Sequence, residues 1–229
     1  MGYLVTAHVL REKPDLSRLG ELPKSVGFRV YLHRAANLYL LDTFRPAKVP
    51  QYPFQTLLPA ADIPLKLPPG LESLERIYSR FGPLNLANGF KKSYINAALL
   101  LNRLLQSPVF SFVSNDDDLD FTCSAVGGSL NRLKCRCGDL VISFDGKRAQ
   151  IAPLVPDEED EDLLTDTAAL KSAMPEVEVL ERQTPWDTQL HCIAMEELQA
   201  FAGIKEMILG LGSFDPPEDE SEWRLVASR

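Results

Sequence analysis

Residues 109–154 have the sequence VFSFVSNDDDLDFTCSAVGGSLNRLKCRCGDLVISFDGKRAQIAPL, and this stretch decides the fold. Its β-prone runs are separated by three pairs of turn residues, which are Gly127 with Gly128, Gly138 with Asp139, and Asp145 with Gly146. Such pairs between apolar runs are typical of hairpin turns. We therefore predict an antiparallel meander built from four β-prone runs.

Alternation within these runs indicates which side of the meander is buried. Side chains two positions apart point to the same face of a strand. One face is predicted to be apolar through Phe121, Cys123, Ala125, Leu140, Ile142 and Phe144, while Arg132, Lys134 and Arg136 face water. An apolar face needs cover, and the apolar spacing over 71–81 and 90–106 predicts two helices that would supply it. We expect one covered face.

The first 69 residues predict further strands and a long connection. Residues 3–10 alternate as a strand does, and residues 28–34 with 38–44 predict a hairpin. From 46 to 69 the chain carries seven prolines, which exclude a regular helix or a central strand. This segment is predicted to be an extended connection against the core.

After the meander, a helix-like segment at 163–174, a short strand at 177–180, a helix over 193–201 that ends at Gly203, and an edge strand over 223–227 are predicted. The fold class is α+β, an antiparallel β-meander packed against helices with an N-terminal strand and hairpin region. We expect residues 1–229 to form a single domain. A sub-lobe over 1–69, ending in the proline-rich connection, stays open.

Composition narrows the range of partners and locations. Acidic residues outnumber basic ones by 32 to 24, which gives a formal net charge of −8. Such a field repels phosphate backbones, so we expect no nucleic-acid partner. The N-terminal MGYLVTAHVL has no signal-peptide pattern, and no apolar stretch is long enough to span a membrane. The four cysteines do not form a disulfide framework. A cytoplasmic protein without a membrane partner is expected.

No catalytic or metal-binding motif is complete. The aspartates after residue 115 fail the calcium-loop pattern because Phe121 stands where its glycine is required. The cysteines lack the twice-paired spacing of a structural zinc site. His8, His33 and His191 belong to no recognised catalytic motif. We therefore predict no cofactor, no metal and no catalytic residue, and a non-enzyme is favoured although an enzyme is not excluded.

The acidic clusters suggest binding instead of catalysis. Carboxylates that steer a basic protein, together with a tryptophan anchor, are typical of an interaction surface. We predict a protein-binding module, with an immunity or inhibitor protein that neutralises a basic partner as its specific form. The predicted partner-binding residues are Asp116, Asp117, Asp118, Asp120, Asp157, Glu158, Glu159, Asp160 and Trp186.

Two alternatives stay open. The first is an enzyme of unrecognised motif, a hydrolase or transferase, which would be favoured if His33 or His191 met an aspartate in a deep apolar cleft. The second is a structural subunit of an assembly, which would be favoured by a large exposed apolar patch near Phe54 or Trp223.

Overall fold

A computed structural model describes the residues 4–22, 24, 26–33, 37–44, 90–115, 119–137, 140–153, 168, 171–172, 175, 177–180, 197–198, 200–203 and 223–229. The predicted proline-rich connection at 46–69 and the predicted helix at 71–81 lie outside these residues.

The described part of the chain is mostly β-sheet with few helices. The strands are β1 Leu4–Leu10, β2 Gly27–His33, β3 Leu38–Phe44, β4 Val109–Asn115, β5 Leu119–Val126, β6 Ser129–Cys137, β7 Leu140–Phe144, β8 Ala149–Pro153, β9 Glu178–Val179 and β10 Trp223–Ser228, and the helices are α1 Leu16–Leu19 and α2 Phe90–Leu105. The predicted α+β balance is therefore supported only loosely, because most of the described elements are strands.

These ten strands form one sheet in the order β10-β2-β3-β1-β4-β5-β6-β7-β8-β9. Every neighbouring pair is antiparallel except β8 with β9. The predicted β2–β3 hairpin is confirmed, with Gly27 opposite Phe44 and His33 opposite Leu38. The predicted terminal strand is confirmed as β10, at the edge beside β2.

The predicted meander is confirmed, but it has five strands instead of four runs. Residues 109–126 form two antiparallel strands, β4 and β5, with Asn115 opposite Leu119. Eighteen residues exceed the usual length of one strand, and aspartate is depleted in strands and enriched in turns. The three consecutive aspartates therefore mark a chain reversal that a count of glycine-containing turns does not reveal.

One face of the sheet, here called the helix face, packs against α2. Helix α2 contacts β4, β5 and β6, and its Ile95, Ala98 and Leu101 are fully buried there. The predicted apolar face is confirmed where its side chains are described, since these are buried in the same core: Phe121, Cys123, Ala125, Ile142 and Phe144. The predicted α2 is also confirmed.

The opposite face, here called the second face, is buried as well, so the prediction of a single covered face is wrong. Phe110, Phe112 and Thr122 are each 2 % exposed on this face. Phe201 stacks on Phe110 with ring centroids 5.3 Å apart, within a helical segment seen at 197–198 and 200–202. The alternation was misleading because small polar residues such as Thr122 occupy buried positions. Arg132 is exposed as predicted.

The β7–β8 turn depends on one glycine. The Asp145 carboxylate accepts hydrogen bonds from the backbone amides of Arg148, at 2.8 Å, and Lys147, at 2.9 Å, which lower the pKa of Asp145. Gly146 has φ +90°, and a Cβ there would lie 2.9 Å from the carbonyl oxygen of Asn131. A side chain at this position would be disfavoured by the positive φ and would also clash with the carbonyl oxygen of Asn131.

We expect Gly146→Ala to lower the free energy of unfolding by about 2–3 kcal/mol, measured by urea denaturation. Gly127→Ala is the matched control. Gly127 also has a positive φ, +58°, but a Cβ there meets nothing within 4 Å, so the loss should be about 1 kcal/mol. Equal losses in the two variants would contradict the clash with Asn131.

None of the helices in the described part of the chain is long and apolar enough to cross a membrane.

Candidate functional site

Three connections of the sheet begin at the same end: those of β4 with β5 and of β6 with β7 also finish there, whereas the one after β8 crosses to the opposite end because β9 is parallel to β8. In an antiparallel meander, alternate connections lie at the same end of the strands. At one end β4 passes to β5, where Asn115 pairs with Leu119, and β6 passes to β7, where Cys137 pairs with Leu140. Strand β8 also finishes at this end, with Pro153 opposite Leu140.

The sequences of these three connections are acidic. Residues 116–118 are three aspartates, residues 138–139 are Gly-Asp, and the chain after Pro153 continues into DEEDED at 157–162. The strand residues next to them add one anion, Asp120, and one cation, Arg136. We call this end of the sheet, where β4, β6 and β8 finish, the acidic end.

Among the predicted partner-binding residues, Asp120 has a described backbone. It lies in β5 opposite Ser114, one pair away from the acidic end. Asp116, Asp117, Asp118, Asp157, Glu158, Glu159, Asp160 and Trp186 lie outside the described residues. Chain connectivity attaches residues 116–118 directly to the acidic end, and residue 157 follows Pro153 by four positions.

A buried histidine–serine pair lies on the helix face, and sequence patterns did not reveal it. The Nδ1 atom of His8 on β1 is 2.6 Å from Oγ of Ser111 on β4, and both residues are fully buried. Cys123 is next in this row, opposite Ser111 on β5. In the described part of the chain, His8 Nε2, Thr43 Oγ1 and Asn96 Oδ1 have no hydrogen-bond partner.

Burial determines what this pair can do. Removing the imidazole from water lowers the pKa of His8 to about 4, so the ring is neutral near pH 7. The distance between its Nδ1 atom and Ser111 Oγ is in the range found between a catalytic base and the nucleophile that it activates. With neither side chain exposed, however, a substrate has no access to Ser111. The pair therefore contributes to the core and makes its stability depend on pH.

His33 lies on the second face, fully buried on β2. Asp42 is buried on the same face of β3, where Arg29 Nε lies 4.0 Å from its Oδ2 atom. The register places His33 opposite Leu38 and Arg29 opposite Asp42. The His33–Leu38 pair and the Arg29–Asp42 pair are therefore four residues apart along the strands, which is roughly 13 Å. His33 and Asp42 are too far apart for a hydrogen bond between them.

Cysteines and exposed apolar residues give no further site within the described chain. Cys123 and Cys135 are reduced and buried, and burial raises the pKa of the Cys123 thiol. No three His, Cys, Asp or Glu side chains of the described residues cluster as metal ligands would. Leu225 on β10 is 51 % exposed, and the other large exposed apolar side chains, Leu16 and Val126, belong to α1 and β5.

Comparison of the chain with protein-family models, with curated proteins and with solved structures found no match.

Proposed function

We propose that this chain is a protein-binding module whose acidic end binds a basic protein partner. The observation that carries the proposal is that the acidic β4–β5 and β6–β7 connections, 116–118 and 138–139, both join strands at one end of one sheet, and that the chain leaves β8 toward DEEDED at this same end. Four carboxylates belong to the two connections that both begin and finish there. A basic partner would meet their summed field there.

The size of the electrostatic effect indicates which step of binding depends on it. An exposed ion pair contributes only about 0.2–1 kcal/mol, because water and salt screen it. A field from many like charges nevertheless raises association rates by about 10- to 1,000-fold. The acidic end therefore acts mainly on the association rate. The predicted anchor Trp186 would act on the dissociation rate, because a buried aromatic side chain is lost only when the complex separates.

The specific form of this function is an immunity or inhibitor protein that neutralises a basic partner in the cytoplasm. Such a protein must bind before its target acts, which favours fast, charge-steered association. The β-sheet fits this use, since both of its faces contain buried residues and the acidic segments are attached to strand ends.

We assign the whole chain to the α+β class because of the additional helix predicted at 71–81.

The proposal predicts that charge at the acidic end matters more than net charge. The partner is captured with the immobilised chain, identified by mass spectrometry and purified, and its association rate is then measured by stopped-flow fluorescence. Changing Asp116, Asp117 and Asp118 to Asn should lower this rate by about tenfold at 50 mM salt. The matched control changes the exposed Glu12, Glu21 and Glu178 to Gln, which removes the same charge elsewhere.

The control should keep most of the wild-type rate, and the rate of the wild type should fall steeply with added salt. Equal losses in the two triple variants would show that only net charge matters. A rate that does not change with ionic strength would refute charge steering altogether.

A further inference from the structure

Strand β10 lies at one edge of the sheet, and Arg229, which follows it, binds the segment between α1 and β2. The guanidinium donates hydrogen bonds to three backbone carbonyl oxygens, which are those of Gly20 at 2.9 Å, Leu22 at 3.1 Å and Val26 at 2.8 Å. Its Cζ atom lies 5.2 Å from the centroid of the Phe28 ring. We call these three carbonyl groups and this ring the arginine cradle.

The arginine cradle recognises a particular chemical group at a particular place. Carbonyl oxygens accept hydrogen bonds and an aromatic face attracts cations, so a planar guanidinium matches both. The backbone fixes the position, because the amide of Arg229 donates to the carbonyl oxygen of Phe28 at 2.9 Å and the amide of Phe28 donates to that of Arg229 at 3.1 Å. The β2 edge and the cradle together therefore bind an extended strand that is followed by an arginine.

Backbone pairing and Arg229 hold β10 in place more than buried side chains do. None of the residues 224–229 is buried, and Leu225 is 51 % exposed. Val226 and Ala227 pack partly against the core. Among the described strands, β10 pairs with β2 alone. A strand with few buried contacts opens more readily than a core strand, so we expect β10 to be released without unfolding of the rest of the sheet.

We propose that the β2 edge and the arginine cradle of one copy of this chain bind β10 and Arg229 of a second copy, so that two chains exchange this strand. The occupant follows from the structure, because β10 of the chain itself matches the site in register and in its arginine. Residues 204–222 join Gly203 to β10, and a chain of this length can reach up to roughly 60 Å. The exchange is reciprocal and closes as a dimer. It involves no residue of the acidic end.

Disulfide trapping can detect this exchange. A strand attached to its own site competes at an effective concentration on the order of 1 mM, so the exchanged dimer is a minor species at micromolar protein. Leu225 lies directly opposite Tyr31, and Arg224 lies opposite Leu32 on the other face. Opposite Cα atoms of antiparallel strands are about 4.5–5.5 Å apart, which is within the range of about 4.4–6.8 Å that a disulfide spans.

The decisive samples are mixtures of two chains that each carry one new cysteine. Tyr31→Cys mixed with Leu225→Cys, and Leu32→Cys mixed with Arg224→Cys, should give disulfide-linked heterodimers in a glutathione buffer, detected by intact mass. The mismatched mixtures, Tyr31→Cys with Arg224→Cys and Leu32→Cys with Leu225→Cys, place the thiols on opposite faces and should give at least about tenfold less product.

The native cysteines are handled in the same way in every chain. Cys137 and Cys192 are replaced by Ser, since Cys123 and Cys135 are buried. Circular dichroism verifies that each variant is folded. The two matched pairs use different residues, so one pair still tests the proposal if a variant of the other does not fold.

Arg229 should control the rate of exchange. Each contact is replaced by an identical one in the dimer, so the hydrogen bonds of Arg229 affect release of the strand more than the final yield. Arg229→Ala in both chains of the Tyr31→Cys and Leu225→Cys mixture should speed formation of the heterodimer by about tenfold, because release no longer breaks these bonds. The matched control is Arg224→Ala, which removes an exposed arginine of the same strand and should leave the rate unchanged.

A chain that carries both Tyr31→Cys and Leu225→Cys is the positive control, because its disulfide forms within one copy. If this internal disulfide forms but neither matched mixture gives a heterodimer, β10 stays on its own β2 and the proposal is wrong. Equal yields from matched and mismatched mixtures would also overturn it, since they would indicate random collision. An unchanged rate in the Arg229→Ala chains would contradict the role of the arginine cradle.

Discussion

Asn102→Ala is expected to lower the free energy of unfolding by about 2–5 kcal/mol. Asn102 is 3 % exposed on α2. Its Nδ2 donates a hydrogen bond to the carbonyl oxygen of Ser107 at 2.7 Å, and its Oδ1 accepts one from the amide of Gly128 at 2.6 Å. The alanine removes the partner of the buried Ser107 carbonyl and of the partly buried Gly128 amide, and a group left unsatisfied costs about 1–3 kcal/mol when it is buried.

The comparison variant is Asn131→Ala, which removes an exposed amide whose Nδ2 lies 3.5 Å from Ser124 Oγ. Surface substitutions of this kind usually change stability by less than about 0.5 kcal/mol. Urea denaturation monitored by tryptophan fluorescence measures both variants. A loss below 1 kcal/mol for Asn102→Ala would mean that the side chain does not hold the β5–β6 turn against the C-terminus of α2.

Acidification from pH 6.5 to pH 4 is expected to cost the wild type about 3 kcal/mol of stability through His8 alone. Burial lowers the pKa of His8 from 6.5 to about 4 in the folded state. Between these two pH values the unfolded chain binds a proton that the folded chain does not. Stability therefore falls as the pH decreases through this window, and one pKa unit corresponds to about 1.4 kcal/mol.

In His8→Gln this contribution to the pH dependence should be absent, because the amide does not titrate. Ser111→Ala is the matched control, since it removes the partner at 2.6 Å but keeps the buried imidazole. It should be less stable at every pH and still show the wild-type slope between pH 6.5 and 4. Urea denaturation at several pH values measures the difference. Parallel profiles for wild type and His8→Gln would contradict a buried, neutral His8.

Local sequence patterns predicted the meander well because its turns consist of residues with specific backbone preferences. Gly127 and Gly146 adopt positive φ values, +58° and +90°, which glycine tolerates and most residues do not. The chain reversal that was not predicted is the one between β4 and β5, where residues 116–118 contain no glycine. If this turn is not recognised, the aspartates are placed inside one long strand. It is then impossible to derive which connections lie at the same end of the sheet.

The sequence patterns did not indicate which strands pair when these strands are distant in the sequence. Strand β1 lies between β3 and β4, and β10 pairs with β2 across about 190 residues of chain. Periodicity indicates which face a side chain takes, so it placed His8 correctly beside Leu10, but it does not indicate which strands are neighbours. The contact between His8 and Ser111, 103 positions apart, therefore had no local signal.

The buried second face was missed for a chemical reason. Thr122 and Ser124 are 2 % and 4 % exposed, yet threonine and serine read as solvent-facing in an alternating strand. Arg11 also lies over the ring of Phe201, at 4.8 Å from its centroid, and joins the segment after β1 to the helical residues near 201. Cover by a segment so distant in sequence cannot be derived from the strand pattern.

Spin-label distances test most directly whether the acidic connections share one end of the sheet. Cysteines are introduced at Asp117 and Asp139 in a chain in which Cys137 and Cys192 are replaced by Ser, since Cys123 and Cys135 are buried. Two strand spacings, about 10 Å, separate the β4–β5 and β6–β7 connections, so strong dipolar broadening is predicted. Labels at Asp117 and Lys147 should lie about 20 Å or more apart and show little broadening. Weak broadening for Asp117 with Asp139, or stronger broadening for Asp117 with Lys147, would contradict a shared acidic end.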